Sequence, residues 1–352
     1  MSVLSTPRVT FLGAVIAMAV GLVLAVAVSE VALRIAMPEW REFNSLNFFK
    51  RITTPGHATF SIGKPGFDGY FAQNNGDFRH HIKINAFGLR NDEPVAAAQD
   101  RLWVIGDSMA FGWGVERHET YTAVIARLSG QPTYSVAGPG NDVCGYQALI
   151  DRMPDGIKPR AAIVGLVLEN DVRAYDCQAK AAASARTGMS ETVSFFNLGR
   201  LKKTLTIHSA FYNVLAVSLK RVPMINQLMM SLGLVSREHV VRYALDTAGL
   251  GQRIEKTAEA VTKLKAMLPP GIPFAVFLAP ARFEIRDNHP FYAEVRHKIT
   301  AALTARGVAV IDPYLAFREL GFEVVYFPHD GHWAAAGHQV AGATVAAWLE
   351  SQ

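Results

Sequence analysis

The sequence predicts an α/β fold: a doubly wound, flavodoxin-like parallel sheet of about five strands with helices on both faces, preceded by an N-terminal transmembrane helix and interrupted by a helical insertion. Three observations carry this. From residue 97 to the C-terminus, short continuously apolar runs alternate with longer helical stretches, the pattern of a parallel sheet covered on both faces. Near the N-terminus, VTFLGAVIAMAVGLVLAVAV (9–28) is twenty residues without a charge, about the length that crosses a bilayer core as a helix. Hydrophobic residues make up 50% of the 352 and charged residues only 18%, a balance that suits a chain meeting lipid over part of its length.

Taken in order, residues 1–29 hold the anchor. Only Arg8 precedes the apolar run in charge, whereas Glu30, Arg34, Glu39, Arg41 and Glu42 follow in mixed signs. The Lys/Arg bias favours an N-in orientation, which makes the chain a single-pass protein of a bacterial-type inner membrane with its bulk in the periplasm. A cleaved signal peptide is the alternative, because Ala25-Val26-Ala27 suits a cleavage site, although the run exceeds a usual signal core. Residues 30–96, rich in Gly, Asn, Pro and aromatics, form a membrane-proximal lead-in of β character.

The main domain spans 97–352. LWVIG (102–106), TYSVA (133–137), AAIVGLVL (161–168), PFAVFLA (273–279) and VAVID (308–312) are its strands. TYTAVIARL, GYQALIDRM, a segment near 291–306 and AAAGHQVAGATVAAWL are helices around them. Between about 177 and 250 the chain turns mostly helical, and FYNVLAVSLKRVPMINQLMMSLGLV carries apolar residues at helical spacing around Pro223. This insertion reads either as a buried helical hairpin or as a cap that holds an acyl chain or docks on the membrane. The net charge of +5 is scattered, with no nucleic-acid-binding motif, so nucleic acid is set aside as a partner. Anionic lipid or polysaccharide suits that modest excess better.

In doubly wound sheets, ligands bind beyond the carboxyl ends of the strands, so chemistry is sought there. Gly106-Asp107-Ser108 follows the first strand and puts a hydroxyl where a nucleophile would stand; equally, Asp and Ser are good helix caps. After the second strand, SVAGPGNDVCGYQ places Gly138 and Gly140 around Pro139, a turn able to aim a backbone N–H at a developing oxyanion or simply a flexible turn. After the third, GLVLENDV offers the Asn170 amide as a further donor or as an ordinary loop start. Near the C-terminus, YFPHDGHWAAAGH sets Asp330 and His332 two residues apart, which in an extended segment puts both side chains on one side. A carboxylate on one imidazole nitrogen fixes the tautomer that takes a proton from serine on the other. A metal set of His329, Asp330, His332 and His338 is the alternative, without a compact ligand signature. His338, among alanines in a helix, reads as structural.

The ordered set of GDS, a glycine turn, ND and D-G-H resembles the SGNH hydrolase, or GDSL esterase, family over roughly residues 97–352. The resemblance implies Ser108 as nucleophile, His332 as base, Asp330 as orienting acid, and Gly140, Asn170 and the Ser108 N–H as oxyanion hole, with no metal or organic cofactor. The family's usual spacing is D-x-x-H, one residue longer than the D-x-H here. The D-x-H-W form is similar to the branch containing membrane-anchored polysaccharide O-acetylation proteins, including those acting on alginate, and INAFGLRNDEP (84–94) upstream resembles the lead-in of membrane-anchored SGNH proteins. The short spacing makes Asp312 the fallback acid.

What the resemblance implies is a membrane-anchored serine esterase or acyl hydrolase acting on an O-acylated glycan or lipid. A polysaccharide O-acetyltransferase working with a membrane acyl-donor protein is the alternative, and a non-catalytic glycan-binding protein a third. Cys144 and Cys177 are the only cysteines. They follow the two loops that would form the oxyanion hole, so in an oxidising periplasm they read as a disulfide, with two buried free thiols as the alternative. Arg282, beyond the fourth strand, reads as a holder of a substrate carboxylate or phosphate or as a salt-bridge partner. Trp113 and Trp333 read as walls that stack on a sugar or as aromatic packing.

Overall fold

The computed structural model describes residues 11–73, 76–189, 198–220 and 247–352. Arg8 and the stretch containing Pro223 lie outside them. In chain order the elements are α1 (Phe11–Ala36), β1 (Phe49–Ile52), β2 (Phe60–Gly63), β3 (Asp68–Ala72), β4 (Arg79–Lys83), β5 (Leu102–Gly106), α2 (Ser108–Phe111), α3 (Tyr121–Ser129), β6 (Thr133–Ala137), α4 (Val143–Asp151), β7 (Ala161–Val167) and α5 (Cys177–Met189). There follow α6 (Leu198–His208), α7 (Ala210–Lys220), α8 (Leu250–Ala266), β8 (Phe274–Ala279), α9 (Arg282–Asp287), α10 (Pro290–Thr304), β9 (Ala309–Ile311), α11 (Tyr314–Leu320), α12 (Phe322–Val325) and α13 (Ala335–Glu350).

The chain divides into two compact units, Met1–Asn44 with Ser194–Val235, and Ser45–Val193 with Ser236–Gln352. In the first, α1 is long and apolar enough to cross a membrane, a property it shares with signal sequences. It continues beyond the uncharged run to Ala36, because Glu30 and Arg34 form an i,i+4 ion pair at 2.6 Å. Glu30 also accepts from the Ser209 hydroxyl at 2.8 Å and from the N–H groups of Ala210 at 3.0 Å and Phe211 at 2.9 Å. One carboxylate thereby satisfies the first two N–H groups that open α7, and Ser209 Oγ takes the third, from Tyr212, at 3.0 Å. The stretch that reads as a single insertion therefore divides: α6 and α7 belong with α1, and α5 with the sheet.

The second unit is the expected α/β sheet. Its order is β6-β5-β7-β8-β9, with every pair parallel, and β5, β6, β7 and β8 are buried throughout. Their runs of Val, Ile, Leu, Ala and Phe suit strands covered on both faces. Trp103, Ile105, Val164 and Val276 meet one helical layer containing Leu149 of α4, Val261 of α8 and Ile299 of α10. Val104, Ile163 and Phe277 meet the other, with Ile125 of α3 and Val345 of α13. Side-chain caps set helix starts: Thr120 accepts from Ala123 N–H for α3, and Asp142 from Gly145 N–H for α4. The lead-in supplies two antiparallel hairpins, β1–β2 and β3–β4. The first strand, β5, lies between β6 and β7, so the chain reverses direction across the sheet there, and the crevice opens at the carboxyl end of β5.

Candidate active site

At that end the polypeptide turns from β5 directly into α2. Asp107 is the cap: its Oδ1 accepts from the Met109 N–H at 2.8 Å. Ser108 is therefore relieved of capping, and its Oγ lies 2.7 Å from His332 Nε2. The opposite nitrogen, Nδ1, bonds Asp330 Oδ1, which also accepts the His332 backbone N–H at 3.0 Å. Gln73 Nε2 donates to the other oxygen, Oδ2, at 2.7 Å. Burial would raise the Asp330 carboxyl, but the His332 charge, the hydrogen bonds from His332 and that from Gln73 together hold it below the ordinary value. Trp113, half-buried, stacks on the imidazole with centroids 5.2 Å apart and planes 23° from parallel.

The neighbouring strands bring their turns to the same edge. Gly138 N–H donates to the Gly106 carbonyl at 3.2 Å, extending the β5–β6 ladder. A Cβ on Gly138 would sit 2.3 Å from the Ser61 carbonyl oxygen, so only glycine fits. Asn141 then pairs with the backbone of Ser61, accepting from its N–H at 2.7 Å and donating to its carbonyl at 2.9 Å. Between these fixed points Gly140 is exposed with φ +71°, a conformation that glycine adopts without penalty. On the other flank, exposed Asn170 follows β7 and its side chain hydrogen-bonds Asp107. Burial pushes the Asp107 carboxyl up to about 6, against the pull of the Met109 N–H, the His332 charge and the Asn170 amide.

The disulfide joins these flanks: Cys144 and Cys177 are bonded with Cα atoms 5.4 Å apart. A bridge closing 33 residues of separation stabilises by about 3–4 kcal/mol in the chain-entropy model. Reduction is expected to lower the melting temperature by roughly 6–15 °C, with two thiols alkylating only after reductant is added. An unchanged melting temperature after complete reduction would reject this contribution.

Other sequence candidates fall differently. Trp333 is fully buried against Phe317, Phe277 and Tyr121; the reading of it as a sugar-stacking wall is corrected, because no face is open to solvent. Asp312 accepts from Arg296 at 2.7 Å and from the Tyr314 N–H at 3.0 Å, so the fallback acid is occupied elsewhere and Asp330 holds the position on His332. Arg282 faces Glu169, with its N–H donating at 2.5 Å and Nε 3.1 Å from the carboxylate; its guanidinium also lies against Gly331. Its charge is matched by a protein carboxylate. His329 bonds Asp77 at 2.8 Å, and His338 is buried, accepting from the Tyr121 N–H at 3.2 Å, with burial pulling it down to about 3. Among the described residues, no three His, Cys, Asp or Glu side chains gather as a metal set.

Sequence reasoning missed Gln73, Asp77, Asn141 and the work of Arg90. The buried Arg90 guanidinium donates to the carbonyls of Phe111 at 3.2 Å, Gly112 at 2.5 Å, Val115 at 2.8 Å and His81 at 2.9 Å. It fixes the turn that leaves α2 and carries Trp113. Its motif, INAFGLRNDEP, is visible in the sequence, but the four carbonyls are not. Arg90→Met is expected to destabilise by roughly 2–4 kcal/mol, because buried acceptors lose their donor; a guanidinium titration with an unchanged midpoint would contradict this.

No protein-family model matches the chain, and no curated protein matches it. Solved structures to which it is similar include a member of the lipolytic protein G-D-S-L family from Veillonella parvula, at 10% identity and TM-score 0.38, covering 72% of this chain and 99% of that one. A lipase/acylhydrolase from Enterococcus faecalis is matched at 9% identity and TM-score 0.41, covering 72% and 96%. A carbohydrate esterase family 2 enzyme with a carbohydrate binding domain from Corynascus thermopiles is matched at 15% identity and TM-score 0.38, covering 72% and 66%.

Proposed function

We propose that this protein is a serine acyl hydrolase of the SGNH type, anchored by α1 with its sheet unit in the periplasm, cleaving esters on an acylated glycan or lipid. The observation that carries the reading is the line of contacts from Ser108 Oγ through both imidazole nitrogens of His332 to the Asp330 carboxylate, at the edge where doubly wound sheets bind ligands.

In this mechanism His332 Nε2 takes the Ser108 proton as Oγ attacks the ester carbonyl carbon. The carbonyl π electrons move to oxygen, and the oxyanion is met by the N–H groups of Ser108 and Gly140 and by Asn170. Ser108 suits this role because the first N–H groups of a helix lack intrahelical acceptors. Asn170 has two amide protons, so one can stay on Asp107 while the other meets the oxyanion. Asp330 stabilises the imidazolium, which then protonates the departing alcohol as the C–O bond breaks. Water, deprotonated by His332, attacks the acyl-enzyme and releases the acid and free Ser108. The same intermediate captured by a sugar hydroxyl would give O-acyl transfer.

The test uses the full chain purified in detergent with p-nitrophenyl acetate. A mass increase of one acetyl group on the peptide containing Ser108, together with turnover, supports the reading. Product partition with and without an oligosaccharide acceptor then separates hydrolysis from transfer. No adduct and no turnover, beside an active control esterase, would remove it.

A further inference from the structure

The Asp330 carboxylate is engaged at both oxygens, from two distant parts of the chain. Among the described residues Oδ1 serves His332 alone, accepting from its backbone N–H and bonding its ring. Oδ2 takes its hydrogen bond from Gln73, 257 residues away in sequence, where the chain leaves β3 on the way to β4. A second tie runs between the same two loops: Asp77 accepts the His329 backbone N–H at 3.0 Å and bonds its Nδ1 at 2.8 Å.

With one residue between acid and base, the carboxylate and the imidazole hang from neighbouring backbone and share one oxygen. Rotation of the carboxylate about its Cβ–Cγ bond moves both oxygens together, so a donor held on Oδ2 also keeps Oδ1 on the imidazole. A neutral amide is suited to this: it fills Oδ2 without the positive charge of Lys or Arg, which would compete with the imidazolium for the carboxylate. From this geometry we infer that Gln73 is a positioning residue of the triad, so that the β3–β4 hairpin of the lead-in completes the active site of the α/β unit. The inference rests on the catalytic reading of Ser108, His332 and Asp330 above. Other ionisable groups facing this pair are Asp107, Glu169, His338, Arg282, Asp77 and His329, all unchanged in the variants proposed.

The experiment compares pH profiles of kcat and kcat/KM for p-nitrophenyl acetate in wild type, Ser108→Ala, Gln73→Met and Gln73→Glu, each as full chain in detergent with its melting temperature recorded. Gln73→Met is expected to lower kcat about 10-fold with KM within about 2-fold, the loss of one hydrogen bond to a charged group. Gln73→Glu sets a second carboxyl against Oδ2, where two carboxylates cannot both stay ionised; protonated, it donates as the amide does, so kcat is expected within about 2-fold of wild type on the acid side and to fall to the Gln73→Met level as pH rises and that proton leaves. A merely structural amide would lower activity equally at every pH in both variants, with no recovery of Gln73→Glu on the acid side. That result, or wild-type kinetics in both variants beside Ser108-dependent turnover, overturns the inference and leaves the esterase reading standing. Absence of any Ser108-dependent turnover in wild type removes the esterase reading, and this inference with it.

Discussion

Replacing Ser108 with alanine is expected to lower p-nitrophenyl acetate turnover by about 10⁴-fold or more, abolish the acyl adduct, and leave the melting temperature within a few degrees. The size follows from the role: without Oγ no covalent intermediate forms, and what remains is orientation by the oxyanion donors, typically worth about 10³–10⁴-fold over water. The neutrality toward stability follows from the local structure. Ser108 caps nothing, since Asp107 accepts the Met109 N–H, and the side-chain contact it loses is the one to His332 Nε2. Equal turnover in wild type and Ser108→Ala would place the reaction on another nucleophile and undo the mechanism.

The fold was legible because it is written in local signals. Buried strands such as β5 and β7 are continuous apolar runs, and the turns after β5, β6 and β7 carry Gly106-Asp107-Ser108, Gly138-Pro139-Gly140 and Asn170-Asp171, each consistent with its place at a strand end. Tertiary pairing was not legible in the same way. Nothing near Gln73 marks it as the partner of Asp330, because the bond joins residues 257 apart and a glutamine in a turn has no special spacing. The ambiguity of Asp107-Ser108, cap or nucleophile, was real in sequence terms, since both residue types cap helices; in three dimensions Asp107 caps and Ser108 faces the imidazole. Trp333 shows the opposite failure. An aromatic beside a candidate base suggested a ligand wall, yet the alternation of the chain turns it into the core beside Phe317 and Phe277.

The acid of the triad is the site assignment on which the short spacing bears most. Asp330→Asn is expected to lower kcat by about 10⁴-fold, while Asp312→Asn keeps kcat within a few-fold and destabilises by about 1–2 kcal/mol, as Arg296 loses one of two carboxylate partners. The asymmetry follows from what each oxygen meets. With Gln73 donating to one side of the Asp330 side chain, an asparagine that keeps its carbonyl toward Gln73 turns its amide toward His332 Nδ1 and leaves the His332 backbone N–H facing a donor. That amide selects the tautomer with the proton on Nε2, which offers Ser108 a donor where an acceptor is required. If Gln73 turns over to present its own carbonyl, the asparagine can keep its oxygen on Nδ1, but the negative charge is gone and the imidazolium formed during attack is left unstabilised. The two cases separate by pH: restoring the tautomer recovers rate without charge, and the acid limb of kcat/KM then lies lower than in wild type, because the imidazolium has lost its counter-ion. An Asp330→Asn protein with wild-type kcat, or an Asp312→Asn protein that loses the 10⁴-fold instead, would transfer the role of acid to Asp312 and require the loop carrying His332 to move before catalysis.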